Sequence, residues 1–264
     1  MNWSARSLFI AAIFALAACA SSTTSRPTVE RSNAGLNSTS PVRAAEINTR
    51  LGLGYLERGQ FQVALEKLQI AVVEDPGHVP AHFALALLFE RLGDERNADR
   101  HYRAADRLAP ADGGVQNAYA VYLCRQREFR EADVHFQRAV DDPFYATPAV
   151  ALANAGSCAR RAGRQQQAID YLREALSIDG DNPDALYNLA EIYHQQGDSF
   201  RARAFLQRLE AGGMTEAATF LLGFQIESDL GNQNGADRYA NLLERDFPTS
   251  PETEQVRRLI RNDS

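Results

Sequence analysis

From Ala45 onward one pattern returns six times, with starts at Ala45, Val79, Gly113, Ala149, Pro183 and Ala217. The five intervals between these starts all lie within two residues of thirty-four. Self-similarity at such a period constrains the fold more than composition does, because each unit is too small to bury its own apolar face and must stack on its neighbours. The first unit carries Leu51, Gly52, Tyr55, Gly59, Ala64, Leu68, Ala71 and Pro76, and the second repeats this with Leu85, Ala86, Phe89, Gly93, Ala98, Tyr102, Ala105 and Pro110. The third has Tyr119, Ala120, Leu123, Ala132, Phe136 and Ala139, with Arg127 at the turn in place of glycine and two extra residues around Pro143–Pro148. Corresponding residues are Ala155, Gly156, Gly163, Ala168, Leu172 and Ala175 in the fourth unit, and Leu189, Ala190, Tyr193, Gly197, Ala202 and Leu206 in the fifth. The sixth has Gly223, Phe224, Gly231, Ala236, Leu243 and Pro248.

This spacing reads as two antiparallel helices per unit. Small residues (Gly52 with Ala64, Ala86 with Ala98, Gly156 with Ala168) let the two helices approach, and the intervening glycine supplies the positive φ that ends the first of them. The pattern resembles the tetratricopeptide repeat. That resemblance implies an all-α, right-handed superhelix of six helix-turn-helix units at 45–78, 79–112, 113–148, 149–182, 183–216 and 217–250. The last stacked face needs a cover, and segment 251–264 suits the task as a capping helix and tail. Ser250 is placed to cap it and Pro251 to occupy its first position. Val256, Leu259 and Ile260 then fall at helical spacing to cover the sixth unit, with Arg257, Arg258 and Arg261 toward solvent near the helix end.

Residues 1–18 read as a targeting segment, set aside before any fold reasoning. Arg6 gives a positive start, and the apolar run Leu8–Ala18 is too short for a bilayer, which needs about twenty residues. It ends in Leu16-Ala17-Ala18-Cys19, which resembles a bacterial lipobox. The resemblance implies acylation of Cys19, and Ala20 after it favours the outer membrane, periplasmic face, over retention at the inner one. Several acyl chains make such an anchor stable. Residues 19–44, rich in Ser, Thr, Asn and Pro without apolar period, read as the lipidated cysteine and a disordered tether. A flexible coil of that length gives a reach of roughly 25–30 Å.

The net charge is −6, and removal of residues 1–18 takes away Arg6 and no acid. An acidic chain without a concentrated basic face argues against nucleic acid as a partner. His78 and His82 are four apart, but Pro80 stands between them at a unit junction, so no metal site is expected. His101 and His135 read as surface or packing residues. None of the nucleotide, hydrolase or metalloprotease motifs G-x-x-x-x-G-K-[ST], G-x-S-x-G and H-E-x-x-H occurs. No catalytic residue, cofactor or small-molecule substrate is expected, and the chain reads as a binding protein rather than an enzyme.

In such a stack the first helices of the units line a concave groove. The second, fifth, ninth and twelfth positions of each unit point there, which selects Asn117 and Val121 in the third, Ser157 and Arg160 in the fourth, and Tyr187, Glu191 and His194 in the fifth. Asn154 and Asn188, at the sixth position, are candidates to hydrogen-bond an extended peptide; the alternative is that they bond neighbouring helices. Cys124 and Cys158 lie on adjacent first helices, 34 positions apart. In an oxidising periplasm they are expected to pair as a disulfide; otherwise they are two buried thiols acting as small hydrophobes.

Several stretches go beyond the generic repeat: Ala81-His82, Asn117-Ala118-Tyr119-Ala120-Val121-Tyr122-Leu123-Cys124, Asn154-Ala155-Gly156-Ser157-Cys158, Pro143-Phe144-Tyr145, and Phe247-Pro248-Thr249-Ser250-Pro251-Glu252. With the lipobox and the tether, they resemble the PilF/PilW family of type IV pilus biogenesis lipoproteins. Ala118 and Ala120 depart from the Asn and Gly usual in that family. The resemblance implies a pilotin role, in which the protein binds the pilus secretin subunit and promotes its outer-membrane localisation and multimerisation. The alternative is another periplasmic repeat-protein adaptor, such as a regulator of peptidoglycan synthesis or an outer-membrane assembly scaffold. The cysteine pair and the Tyr145 insertion favour the pilus reading.

Overall fold

A computed structural model describes residues 40–262 of the chain, with side chains through Arg261. The targeting segment, Cys19 and the tether as far as Thr39 lie outside the described residues. What is described is all-α: α1 Pro41–Glu57, α2 Phe61–Glu74, α3 Val79–Arg91, α4 Glu95–Leu108, α5 Gly113–Arg125, α6 Phe129–Asp141, α7 Pro148–Arg161, α8 Gln165–Ile178, α9 Pro183–Gln195, α10 Ser199–Ala211, α11 Ala217–Asp229, α12 Gln233–Asp246 and α13 Pro251–Asn262. They form six helical hairpins, each packed on the next, with α13 laid against α11 and α12. No strand occurs among the described residues.

The helices start where side chains can satisfy the otherwise free amides of a first turn. Asp112 accepts from Val115 N at 3.0 Å, Asn182 from Ala185 N at 3.0 Å, and Ser250 from Thr253 N at 3.2 Å. The same device begins α1 earlier than the sequence reading placed it. Ser40 accepts from Arg43 N and Pro41 occupies the first turn, so residues 41–44, assigned above to the tether, are helical.

Each hairpin turns on one residue of positive φ. Five are the expected glycines, Gly59, Gly93, Gly163, Gly197 and Gly231, and the third is Arg127 at φ 67°. Arg127 keeps the hydrogen bonds of the glycine turns, with its N–H to Cys124 O at 3.1 Å and Glu128 N–H to Leu123 O at 2.9 Å. The third repeat therefore holds a left-handed conformation that costs an L-residue about 1–2 kcal/mol.

Close approach within a hairpin is set by a small residue against a leucine. A Cβ on Gly52 would lie 2.5 Å from Leu68 Cγ, and one on Gly156 2.5 Å from Leu172 Cγ. The expected partners Ala64 and Ala168 contribute mainly their carbonyl oxygens, 3.4 and 3.2 Å away. One apolar core runs from Leu56 to Val256, with Ala45, Ala71 and Ala81 as a satellite at the first hairpin. The two-residue insertion is part of this packing. A Cβ on Gly113 would sit 2.6 Å from Tyr145 Cβ, and Asp142 Oδ2 accepts from Gly113 N at 2.8 Å. At the far end Val256 of α13 is buried, whereas Ile260, expected in the cover, is 45% exposed.

Candidate functional site

The odd-numbered helices α1 to α11 are the first helices of the hairpins, and side chains on one side of them are only half-buried although their neighbours are fully covered. Asn117 and Val121 on α5, Asn154, Ser157 and Arg160 on α7, and Tyr187, Glu191 and His194 on α9 are all of this kind. Half-burial is common to these eight. Asn188 is the exception at 7% exposure.

Much of that surface is engaged in joining one repeat to the next. Asn154 Nδ2 donates to Asn117 Oδ1 at 3.2 Å, tying α7 to α5. Arg160 reaches from α7 to α9, where its Nε donates to Asn188 Oδ1 at 3.1 Å and its Nη1 lies 2.9 Å from Glu191 Oε2. His194 Nε2 stands 2.9 Å from Asp229 Oδ2 on α11. Asn188 donates its amide N–H to Asp184 O at 2.8 Å, so both ends of that side chain are committed. Of the two readings of these asparagines, the burial and bonds of Asn188 and the bond of Asn154 favour the one in which they tie neighbouring helices.

The residues left facing the groove differ along the stack. Toward the N-terminal end they are apolar: Leu53, Phe83 and Leu87, at positions nine, five and nine of the first two units, pack partly against the core. Toward the C-terminal end they are polar and acidic. Burial, then the nearby Glu191, Glu216 and Glu252 carboxylates, push the Tyr187 phenol above its ordinary value, with Arg160 opposing them. The positional rule, applied to every unit, would have found Leu53, Phe83 and Leu87, and also Leu221 and Gln225 in the sixth. It could not have found Glu252, which belongs to α13.

Cys124 on α5 and Cys158 on α7 face each other with Cα atoms 5.8 Å apart, and both are buried. That separation is one a disulfide accepts. Three of the histidines, His82, His101 and His135, are buried. His78 precedes α3, Pro80 lies harmlessly in its first turn, and His82 points to His101 on α4, with the two Nδ1 atoms 3.1 Å apart. His82 Nε2 lies 3.0 Å from Pro76 O, a pure acceptor, so His82 carries its proton on Nε2 and accepts at Nδ1 from His101. The lower side of His101 receives Arg100 Nη2 at 3.4 Å. This chain is satisfied with His101 neutral, and burial, followed by His82 and Arg100, holds His101 down to about 4. His101 and His135 are thus core residues rather than surface ones, and His135 Nδ1 sits 2.6 Å from Gln116 Oε1. Among the described residues no three His, Cys, Asp or Glu side chains converge as a metal-holding group.

A tetratricopeptide repeat model matches residues 49–113 and 120–183, and a second matches residues 159–218. Together they take in more than half of the chain. PilF of Pseudomonas aeruginosa, a type IV pilus assembly protein, is 27% identical over 212 residues, which span 80% of this chain and 84% of that one. An uncharacterized Haemophilus influenzae protein is 33% identical over 140 residues, 52% of this chain and 76% of that one. Among solved structures, PilW, a widely conserved type IV pilus biogenesis factor, superposes with a TM-score of 0.75 at 27% identity, covering 81% of this chain and 98% of the other. The PilF structure superposes at 0.72 with 27% identity and coverage of 82% and 98%. The chain therefore belongs to the tetratricopeptide repeat family, and within it is a homologue of the type IV pilus proteins PilF and PilW.

Proposed function

We propose that this protein is a pilotin-like factor of type IV pilus biogenesis, which binds the secretin subunit and promotes its localisation and multimerisation in the outer membrane. The observation that carries the reading is the extent of the likeness: all but 2% of the PilW and PilF chains is matched, at 27% identity in each case. The sequence identity itself extends over four-fifths of this chain, which a likeness of fold alone does not supply.

The parts divide the task physically. Acylation of Cys19 locates the protein at the periplasmic face of the outer membrane, and the segment before Ser40 gives reach. In this reading the anchor is the acylated Cys19; among the described residues no helix is long and apolar enough to cross a membrane. The groove supplies affinity. Its repeats are cross-tied by Asn154–Asn117, Arg160–Glu191 and His194–Asp229, so little conformational freedom is lost on binding. A disulfide between Cys124 and Cys158 would stiffen it further at its midpoint. The chemistry is recognition without turnover.

Co-purification tests the groove directly. The detergent-solubilised protein should retain the secretin subunit. Tyr187→Ala, combined with Val121→Asp, should release it while leaving the melting temperature within a few degrees of wild type. Retention by a folded double variant would place the contact elsewhere.

A further inference from the structure

Between α9, α11 and the start of α13 the groove deepens into a cavity of about 310 Å³. Its apolar lining comes from Leu221, Leu222 and the Tyr187 ring, and its polar rim from Glu191, Gln225 and Glu252. His194 also borders it, but is already engaged with Asp229. Three carboxylates, Glu191, Glu216 and Glu252, act on the Tyr187 phenol, against Arg160 alone. Neither Glu216 nor Glu252 takes part in an ion pair among the described residues.

Glu191 is unusual in a second way. Its Oε2 is buried, and although Arg160 Nη1 is 2.9 Å away, the contact is not aligned as a hydrogen bond. Among the described residues this is the buried side-chain oxygen left without a donor. Its charge is met by Arg160, so the carboxylates left for a ligand are Glu252 on the rim and Glu216 beside Tyr187. An anion would meet the carboxylates. A purely apolar group would cover them without pairing them, which is costly. A flexible methylene stem ending in a cation satisfies both halves of the lining, as lysine and arginine side chains do.

We propose that this cavity receives a lysine or arginine side chain carried by an extended segment of the protein partner. The assignment rests on the groove being the protein-binding surface, and it names one element of that surface's selectivity. Leu221 and Leu222 take the methylenes, and Glu252 takes the charge, with the Arg160-paired Glu191 carboxylate alongside.

The test uses the chain from Ala20 onward, which contains the whole described core, with methyl-labelled leucine observed by NMR. The probes are n-butylammonium and n-butylguanidinium, with n-butanol and butyrate as controls. The cations should produce saturable shifts of the Leu221 and Leu222 methyls, and the controls should not. Glu191→Gln with Glu252→Gln should weaken the cations at least tenfold while distant leucines keep their positions. If that pair disturbs the fold, Glu252→Gln alone, at a half-buried rim position, should still weaken them at least threefold. Equal shifts from butanol, no saturable shift, or full binding by the variants would overturn the assignment. No secretin is present in this titration, so its failure removes the cavity assignment alone, and failure of the secretin measurements removes the pilotin reading alone.

Discussion

Reduction of the Cys124–Cys158 pair offers a quantitative check on the way the middle of the stack is held. The two cysteines sit 34 positions apart on α5 and α7, so a bond between them closes a loop that spans one full repeat. The chain-entropy relation gives about 4 kcal/mol for a loop of that length at 25 °C. For roughly 220 residues unfolding together at about 2.1 cal/mol/K per residue, this corresponds to about 8 °C in Tm. The assay is urea unfolding of the wild type and of Cys124→Ala, each with and without reductant. Oxidised wild type should exceed reduced wild type by about 4 kcal/mol, and Cys124→Ala should be indifferent to reductant. Both thiols are buried among apolar neighbours. Reduced wild type and reduced variant should therefore differ only by the packing of one sulfur, about 1 kcal/mol. The reasoning fails if reductant leaves the wild type unchanged, or if the variant loses the same stability under both conditions.

Arg127→Gly should raise stability by about 0.5–1 kcal/mol, since relief of a left-handed arginine is partly offset by the greater freedom of glycine in the unfolded chain. Urea titration checks this, and a loss of stability would mean the Arg127 side chain holds the turn. His101 is held down to about 4 in the folded protein against 6.5 for the free group. The unfolded chain then takes up a proton first as pH falls, so this contribution is complete above about 6.5. It is lost progressively toward 4, to a total of about 3 kcal/mol. His101→Gln should flatten that slope in stability measured from pH 7 to 4.5, and identical slopes would refute the buried neutral imidazole. Cys19→Ala should leave the helical signal intact and move the protein from the membrane fraction to the soluble one. Its persistence in the membrane fraction would count against the acyl anchor.

The helix-turn-helix repeat was legible because it depends on residue size and on turn geometry, both written locally. Gly156 can face Leu172 only because it lacks a Cβ, and a glycine at five of the six hairpin turns marks the end of a helix. The substitution at Arg127 was legible too, and the backbone there shows the neighbouring hydrogen bonds overriding side-chain preference. Other features depend on packing between units, which a period cannot express. Asn188 sits at a position suited to a peptide contact, yet Arg160 from the preceding repeat claims its carbonyl. His101 reads as a surface or a packing residue, and the choice is made only when His82 is seen to turn toward it. Ser40-Pro41 carries the same start signal as Ser250-Pro251, but it lies within a Ser- and Asn-rich stretch whose composition masked it. Glu252 enters the groove only because the capping helix folds back along α11.

The central claim, that this homologue of PilF and PilW assists secretin assembly, is tested most directly on an unboiled gel. Membranes from a strain lacking the protein are probed for the pilus secretin. The account predicts loss of the high-mass multimer with monomer still present, and recovery of the multimer when the wild-type chain is restored. A multimer unchanged by deletion would contradict it.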